Sequence, residues 1–265
     1  MTELEEKRKE LHCKTIALQG AKDMLTSQNK VLSEAAELRE RVQLIMQHDL
    51  KSPLSLIIGI PQLLIVDNNL TDEQKEFIRL IEETGFRMLN MINRSLDLFR
   101  MESGYYEFNP HPFNVFDILK SVMSELQTEI STKKIAVDIR LNGGVAPSGA
   151  CVYVMVESLL THSMFANLIK NAIEASQNEG NITILICVTK EVVVSITNAG
   201  EVPMQIRSTF FDKFITAGKF KGTGLGTYSA ALIAKTQRGS LILDSSVDGE
   251  TSIIARLPKH ERIIT

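Results

Sequence analysis

One histidine stands in the run Gln47-His48-Asp49-Leu50-Lys51-Ser52-Pro53-Leu54. Far downstream come Asn167-Leu168-Ile169-Lys170-Asn171 and then Gly222-Thr223-Gly224-Leu225-Gly226. A neutral imidazole attacks phosphorus well when one ring nitrogen is free and the other keeps its proton engaged. Asn167 and Asn171 lie one turn apart on one helix face. Their neutral amide oxygens suit Mg²⁺ already neutralised by a triphosphate, because that ion keeps its waters and takes few protein ligands. Gly222, Gly224 and Gly226 let backbone amides approach phosphate, and they open a helical stretch near 228–237 whose N-terminus favours anions. A nucleophile, a metal site and a phosphate loop in this order imply phosphoryl transfer from ATP to His48.

The elements that must position these residues follow from periodicity. Leu4, Leu11, Leu18, Leu25 and Leu32 recur every seventh residue, the seam of a parallel coiled coil. Thr15, Lys22 and Asn29 occupy the companion positions and Gly20 lowers helicity, so the segment reads as a marginal dimeric signalling helix rather than an autonomous zipper. The pattern continues through Val42 and Ile45 to His48, and Pro53 should bend the helix one turn later. After a loop around Asp67-Asn68-Asn69, Thr71 caps a second helix with Gln74 at the third following position. Two such helices bury little surface alone, so two copies should pair into a four-helix bundle. Beyond the linker Asn109-Pro110-His111-Pro112, helical stretches near 114–131, 158–178 and 228–237 alternate with β-rich runs at 135–141, 182–188, 191–197, 240–245 and 252–257. That is an α/β sandwich, with helices over one face of a mixed sheet.

Composition bounds the reading. A chain of 265 residues is expected to form about two domains. A net charge of -3 leaves no basic surplus, which disfavours nucleic acid as a partner. Cys13, Cys151 and Cys187 are odd in number and lack ligand spacing, so they read as reduced packing residues of a cytoplasmic protein. The most apolar stretch, Leu54 to Val66, is shorter than the roughly 20 residues a membrane span needs, and no membrane span or signal peptide is expected. His12, His111, His162 and His260 lack partners at useful spacing.

Over about residues 43–260, the order and spacing of these motifs resemble the cytoplasmic core of sensor histidine kinases of bacterial-type two-component systems. The resemblance implies a multidomain fold: an all-α helical hairpin forming a dimeric four-helix bundle, followed by an α/β sandwich ATP-binding domain shared in outline with gyrase, MutL and the heat-shock chaperone ATPases. It divides the chain into a helical coiled-coil linker at 1–42, a dimerisation and histidine phosphoacceptor domain at 43–108, and a catalytic ATP-binding domain at 109–262. The implied cofactors are ATP and Mg²⁺. The implied partners are a second copy of the chain, a response regulator receiver domain that accepts the phosphoryl group on an aspartate, and an upstream sensor domain or sensor partner.

Residue roles follow from the same resemblance. Asp49 is the acidic neighbour that holds the second N–H of His48. Ser52, one turn on, stands where relatives carry a Thr or Asn that places the water for dephosphorylating the partner's aspartate. Serine reaches less far, so phosphatase activity stays open, as does a plain solvated serine. Asn167 stands where ATP-hydrolysing relatives carry a glutamate base, which directs phosphate to a side chain rather than to water. Asn198-Ala199-Gly200-Glu201-Val202-Pro203 is similar to the Asp-x-Gly-x-Gly adenine site, with Asn198 and Val202 as departures. An asparagine can present its oxygen or its NH₂. ATP binding is therefore expected to be weaker by about 1 kcal/mol, roughly fivefold, with relaxed discrimination against GTP. Phe210-Phe211-Asp212-Lys213-Phe214 resembles the aromatic lid motif. Lys170, Lys213, Lys219 and Lys221 are placed among the nucleotide contacts with Thr223 and Leu225 of the glycine loop, although Lys219 and Lys221 also read as solvated loop lysines. Thr251 lies beside the base. Two other readings remain: a signalling scaffold with a degenerate nucleotide site, supported by the altered adenine motif, and an ATP-hydrolysing clamp, opposed by Asn167. Neither the stimulus nor the choice between cis and trans phosphorylation is written in the sequence.

Overall fold

A computed structural model describes residues 2–66, 70–147, 149–216 and 224–260. The chain forms two compact units, Met1–Leu96 and Asp97–Thr265. In the first, helix α1 (Thr2–Leu64) runs on through Pro53 and Pro61. Pro53 lacks an N–H to donate, yet it does not end the helix here. Helix α2 (Asp72–Glu102) begins with the reciprocal cap that Thr71 and Gln74 foretell. The Gln74 amide donates to Thr71 Oγ1 at 3.2 Å, and the Thr71 amide donates to Gln74 Oε1 at 2.9 Å. Leu54, Ile58 and Leu96 are buried where the hairpin closes. Gly85 makes that approach feasible, since a Cβ there would sit 2.7 Å from Cγ1 of Ile58. Gln62 Nε2 adds a bond to Glu82 Oε1 at 2.8 Å. Much of the hairpin's apolar surface stays open in the single chain, including Ile57, Ile60, Phe77, Leu80 and Ile81. The seam leucines Leu11, Leu18 and Leu25 are exposed as well.

The second unit begins inside the last turns of α2, where Met101 is buried in its core. Strand β1 (His111–Asn114) leads into α3 (Val115–Glu125) and α4 (Gln127–Lys133). Then follow β2 (Ala136–Leu141), β3 (Gly144–Val145), β4 (Tyr153–Val156), α5 (Ser158–Ala175), β5 (Asn181–Val188) and β6 (Val192–Ala199). A 3-10 turn (Met204–Thr209), α6 (Gly226–Thr236), β7 (Ser240–Asp244) and β8 (Glu250–Leu257) complete the order. The main sheet runs β3-β2-β5-β6-β8-β7, with β2 and β5 parallel and the other pairs antiparallel, as expected for a mixed sheet.

Strict alternation explains why one face is covered. Ile184 pairs with Ile196, which pairs with Ile253, and Ile186 pairs with Val194, which pairs with Ala255. This apolar row is buried, with Phe165, Leu168 and Ile169 of α5 and Ala230 and Ile233 of α6 in the same core. Two details depart from the sequence expectation. The stretch expected as one helix over 114–131 breaks into α3 and α4 at buried Leu126, whose φ of -92° and ψ of 9° leave the helical region. The expected linker at 109–112 runs into β1, which pairs antiparallel with β4 as a separate small sheet.

Candidate functional site

Helix α5 has two faces because its apolar residues fall at helical spacing. Met164, Phe165, Leu168, Ile169, Ala172 and Ile173 are buried toward the sheet, while Asn167, Lys170, Asn171 and Glu174 line a cavity of about 560 Å³. That volume lies in the range of small-molecule sites. The start of α5 is anchored by Gln237, whose Oε1 accepts from the Glu157 amide at 2.9 Å and from Thr161 Oγ1 at 3.0 Å. The Glu157 carboxylate accepts from the Tyr106 hydroxyl at 2.8 Å, and burial together with that anionic partner raises the Tyr106 pKa. The end of α5 is held by Lys133, whose Nζ donates to the carbonyls of Ile173, Glu174 and Ser176 at 2.8, 3.1 and 3.0 Å.

The far wall comes from the ends of two paired strands. Asn198 of β6 and Thr251 of β8 are direct partners in the register, and both are buried and line the cavity. Thr251 Oγ1 donates to the Gly200 carbonyl at 2.7 Å. Asn198 Nδ2 donates to the Ala199 carbonyl at 2.8 Å. The opposite amide orientation would set two oxygens against each other, so the Asn198 oxygen is the end left for a ligand. Gly200 has a φ of 118°, which suits glycine, and a Cβ there would sit 3.5 Å from the Ala175 carbonyl. Val202, where the resemblance calls for a second glycine, is buried, and its carbonyl accepts from Arg207 Nε at 2.8 Å.

The third wall is the entry to α6. Gly224 and Gly226 line the cavity, and a Cβ on Gly226 would lie 3.8 Å from Asn167 Oδ1. Gly224 has a φ of 65°, and a Cβ there would come within 2.5 Å of the Phe214 carbonyl carbon. Only glycine fits that approach. Phe214 itself has a φ of 65°, and its amide donates to the Gly224 carbonyl at 3.0 Å. Leu225 is the N-cap of α6 and supplies no side-chain cap, so the first-turn amides are not claimed by a side chain of that residue. The cavity therefore has a direction along α5. Asn167 meets the glycine entry of α6, and Ala175, about 12 Å further along at helical rise, meets Gly200.

Of the residues singled out from sequence, Asn167, Lys170, Asn171, Asn198, Gly200, Gly224, Gly226 and Thr251 converge on this cavity. Lys213 does not line it. Its Nζ is taken by Glu102 Oε2 at 2.7 Å and lies 5.0 Å from the centroid of the Tyr228 ring. Lys219, Lys221, Gly222 and Thr223 lie outside the described residues. Asp49 and Ser52 are exposed on α1; His48 lies on the same helix, and its side chain is outside the described set. Sequence reasoning missed Thr227, Ile206, Ile215 and Ile253, which also line the cavity. Thr227, directly after Gly226, could have been found from the same helix-entry argument.

Comparison with known proteins agrees with this layout. Residues 38–104 match the His Kinase A (phospho-acceptor) domain, and residues 156–261 match the histidine kinase-, DNA gyrase B-, and HSP90-like ATPase family. The chain is 24% identical over 264 residues to the circadian input-output histidine kinase CikA of Synechococcus elongatus, covering 90% of this chain and 34% of that protein. It is 25% identical over 252 residues to the histidine protein kinase DivJ of Caulobacter vibrioides, covering 92% of this chain and 41% of DivJ. It thus spans well under half the length of either relative. The crystal structure of full-length ShkA in complex with AMPPNP shares the fold, with a TM-score of 0.64 at 18% identity over 83% of this chain and 46% of ShkA. With a phosphoacceptor match on the hairpin, an ATPase-family match on the sandwich and an asparagine-glycine cavity inside the second, the chain is a two-component sensor histidine kinase core.

Proposed function

We propose that this chain transfers the γ-phosphoryl group of Mg-ATP to His48 and that the phosphohistidine passes it to an aspartate of a response regulator receiver domain. The observation that carries this reading is the convergence of Asn167, Asn171, Asn198, Thr251, Gly224 and Gly226 on one cavity. Its direction suits a nucleotide. The acceptor oxygen of Asn198 and the backbone turn at Gly200 suit a purine amine at one end, and the N-terminus of α6 suits anionic phosphates at the other. Asn167 and Asn171, one turn apart, would hold Mg²⁺, and their uncharged oxygens fit an ion whose charge the triphosphate already balances. That ion supplies neutralisation of phosphate charge. The catalytic contribution of the chain is mainly positioning and charge balance. With no carboxylate at position 167 to activate water, an imidazole is the acceptor to be reached. Asp49, adjacent to His48, would hold the ring nitrogen that does not attack, and Ser52 one turn on is the candidate for placing water in the reverse, phosphatase direction.

Two copies of the chain would share the hairpin. The open apolar surface at Ile57, Ile60, Phe77, Leu80 and Ile81 is what a four-helix bundle covers. The critical variant for the nucleotide site is Asn171→Asp, which changes an amide oxygen to a charged carboxylate beside the phosphates. It should lower acid-labile labelling from γ-labelled ATP by about a hundredfold, the scale of losing a preorganised electrostatic contact. Undiminished labelling would place the metal elsewhere.

A further inference from the structure

Glu102, the last residue of α2, is shared by two side chains that flank the glycine entry of the cavity. Lys213, just before it, donates to Glu102 Oε2 at 2.7 Å. Tyr228, in the first turn of α6 just after it, donates its hydroxyl to the same carboxylate. The Lys213 ammonium also lies 5.0 Å from the Tyr228 ring centroid, within cation-π range. Between these two flanks the backbone is already pinched, with the Phe214 amide on the Gly224 carbonyl at 3.0 Å. Phe214 and Gly224 are therefore held by two rungs, one of backbone and one of side chains. Desolvation and the Glu102 carboxylate push the Tyr228 pKa up to about 12, so its hydroxyl keeps the proton it donates throughout the neutral range. Glu102 and Lys213 are only partly exposed, at 25% and 35% of their side-chain surface, which limits the competition from water.

We propose that Glu102, Lys213 and Tyr228 form a positioning clasp that holds Gly224 and Gly226 at the cavity entry for the nucleotide, and that through Glu102 the end of α2 sets nucleotide affinity. None of the three is a catalytic residue, because neither Glu102, Lys213 nor Tyr228 lines the cavity. The clasp acts by holding Phe214 and Gly224 in place in advance, which removes part of the conformational cost that binding would otherwise carry. It assigns Lys213 to a carboxylate rather than to phosphate. The proposal rests on the nucleotide reading above, and its test separates the two.

Mg-ATP affinity is measured by titration calorimetry on the whole chain in a His48→Gln background, so that no transfer consumes the ligand. Glu102→Gln preserves shape and removes the charge; it should raise Kd about five- to tenfold, the scale of a charge-assisted hydrogen bond. Lys213→Met should do the same, and the double variant should be no worse than either single one. Exchanging the charges, with Glu102→Lys and Lys213→Glu together, should recover most of the affinity, which a merely structural role would not. Raising salt should narrow the gap between parent and Glu102→Gln, since the pair is partly exposed. Tyr228→Phe keeps the ring and loses only the hydroxyl, with an expected effect of about twofold and intact folding. An unchanged Kd in Glu102→Gln, with the parent binding Mg-ATP, overturns the clasp. Failure of the parent itself to bind overturns the nucleotide reading and the clasp with it.

Discussion

Asn198 shows how far a single residue can be read before its neighbours are known. From sequence, its amide could present either end, and relaxed discrimination against GTP follows. In the structure one N–H of the amide is given to the Ala199 carbonyl at 2.8 Å, which fixes its orientation and leaves its oxygen as the acceptor for a ligand. An acceptor welcomes the exocyclic amine of adenine and repels the carbonyl oxygen of guanine. Competition binding should therefore show that the parent prefers ATP over GTP, and that Asn198→Asp, which cannot donate to the Ala199 carbonyl, keeps that preference without tightening ATP, because the lost bond offsets the added charge. A parent that binds the two equally would mean the amide turns over. Helical spacing made Asn167 and Asn171 legible, because four residues fix one face whatever the surroundings. The partner of Lys213 was not legible, since Glu102 lies 111 residues away and only the tertiary fold brings it near.

At the scale of elements, what could be read was what repeats. The alternation along β5, β6 and β8 and the apolar stripe of α5 are strong periodic signals, and each of those elements appears where its pattern lies. The four-residue strands β1 and β4 carry no such signal, and each is a strand because the other supplies its hydrogen bonds from about 40 residues away. The division between α3 and α4 is equally local, set by the backbone at Leu126. The end of α5 depends on a residue outside it. The Lys133 ammonium serves three carbonyls there, satisfying groups the helix leaves unpaired and matching the sign of its C-terminal dipole. Lys133→Met should lower the unfolding free energy of the second unit by about 1–2 kcal/mol. Denaturant titration followed by circular dichroism measures it, and an unchanged midpoint would show that water replaces the lysine without cost.

For the whole molecule, the division of labour is between a hairpin that cannot cover its own apolar surface and a sandwich with a complete core. Ile57, Phe77 and Ile81 of the hairpin are exposed, whereas Phe165, Leu168 and Ile184 of the sandwich are fully buried. No helix among the described residues is long and apolar enough to cross a membrane. The order of the two units was legible because each motif is short and local: a histidine with its acidic neighbour, a pair of asparagines, a run of glycines. How the chain's output is controlled was not, because the leucine seam names neither a stimulus nor what delivers it. Whether the cavity serves His48 is tested directly by incubation with γ-labelled ATP and Mg²⁺. Label should appear on the protein in an acid-labile, base-stable form, and His48→Gln should abolish it while leaving Mg-ATP affinity intact. Persistence of that label in His48→Gln, or release of the label only as free phosphate by the parent, would contradict the account.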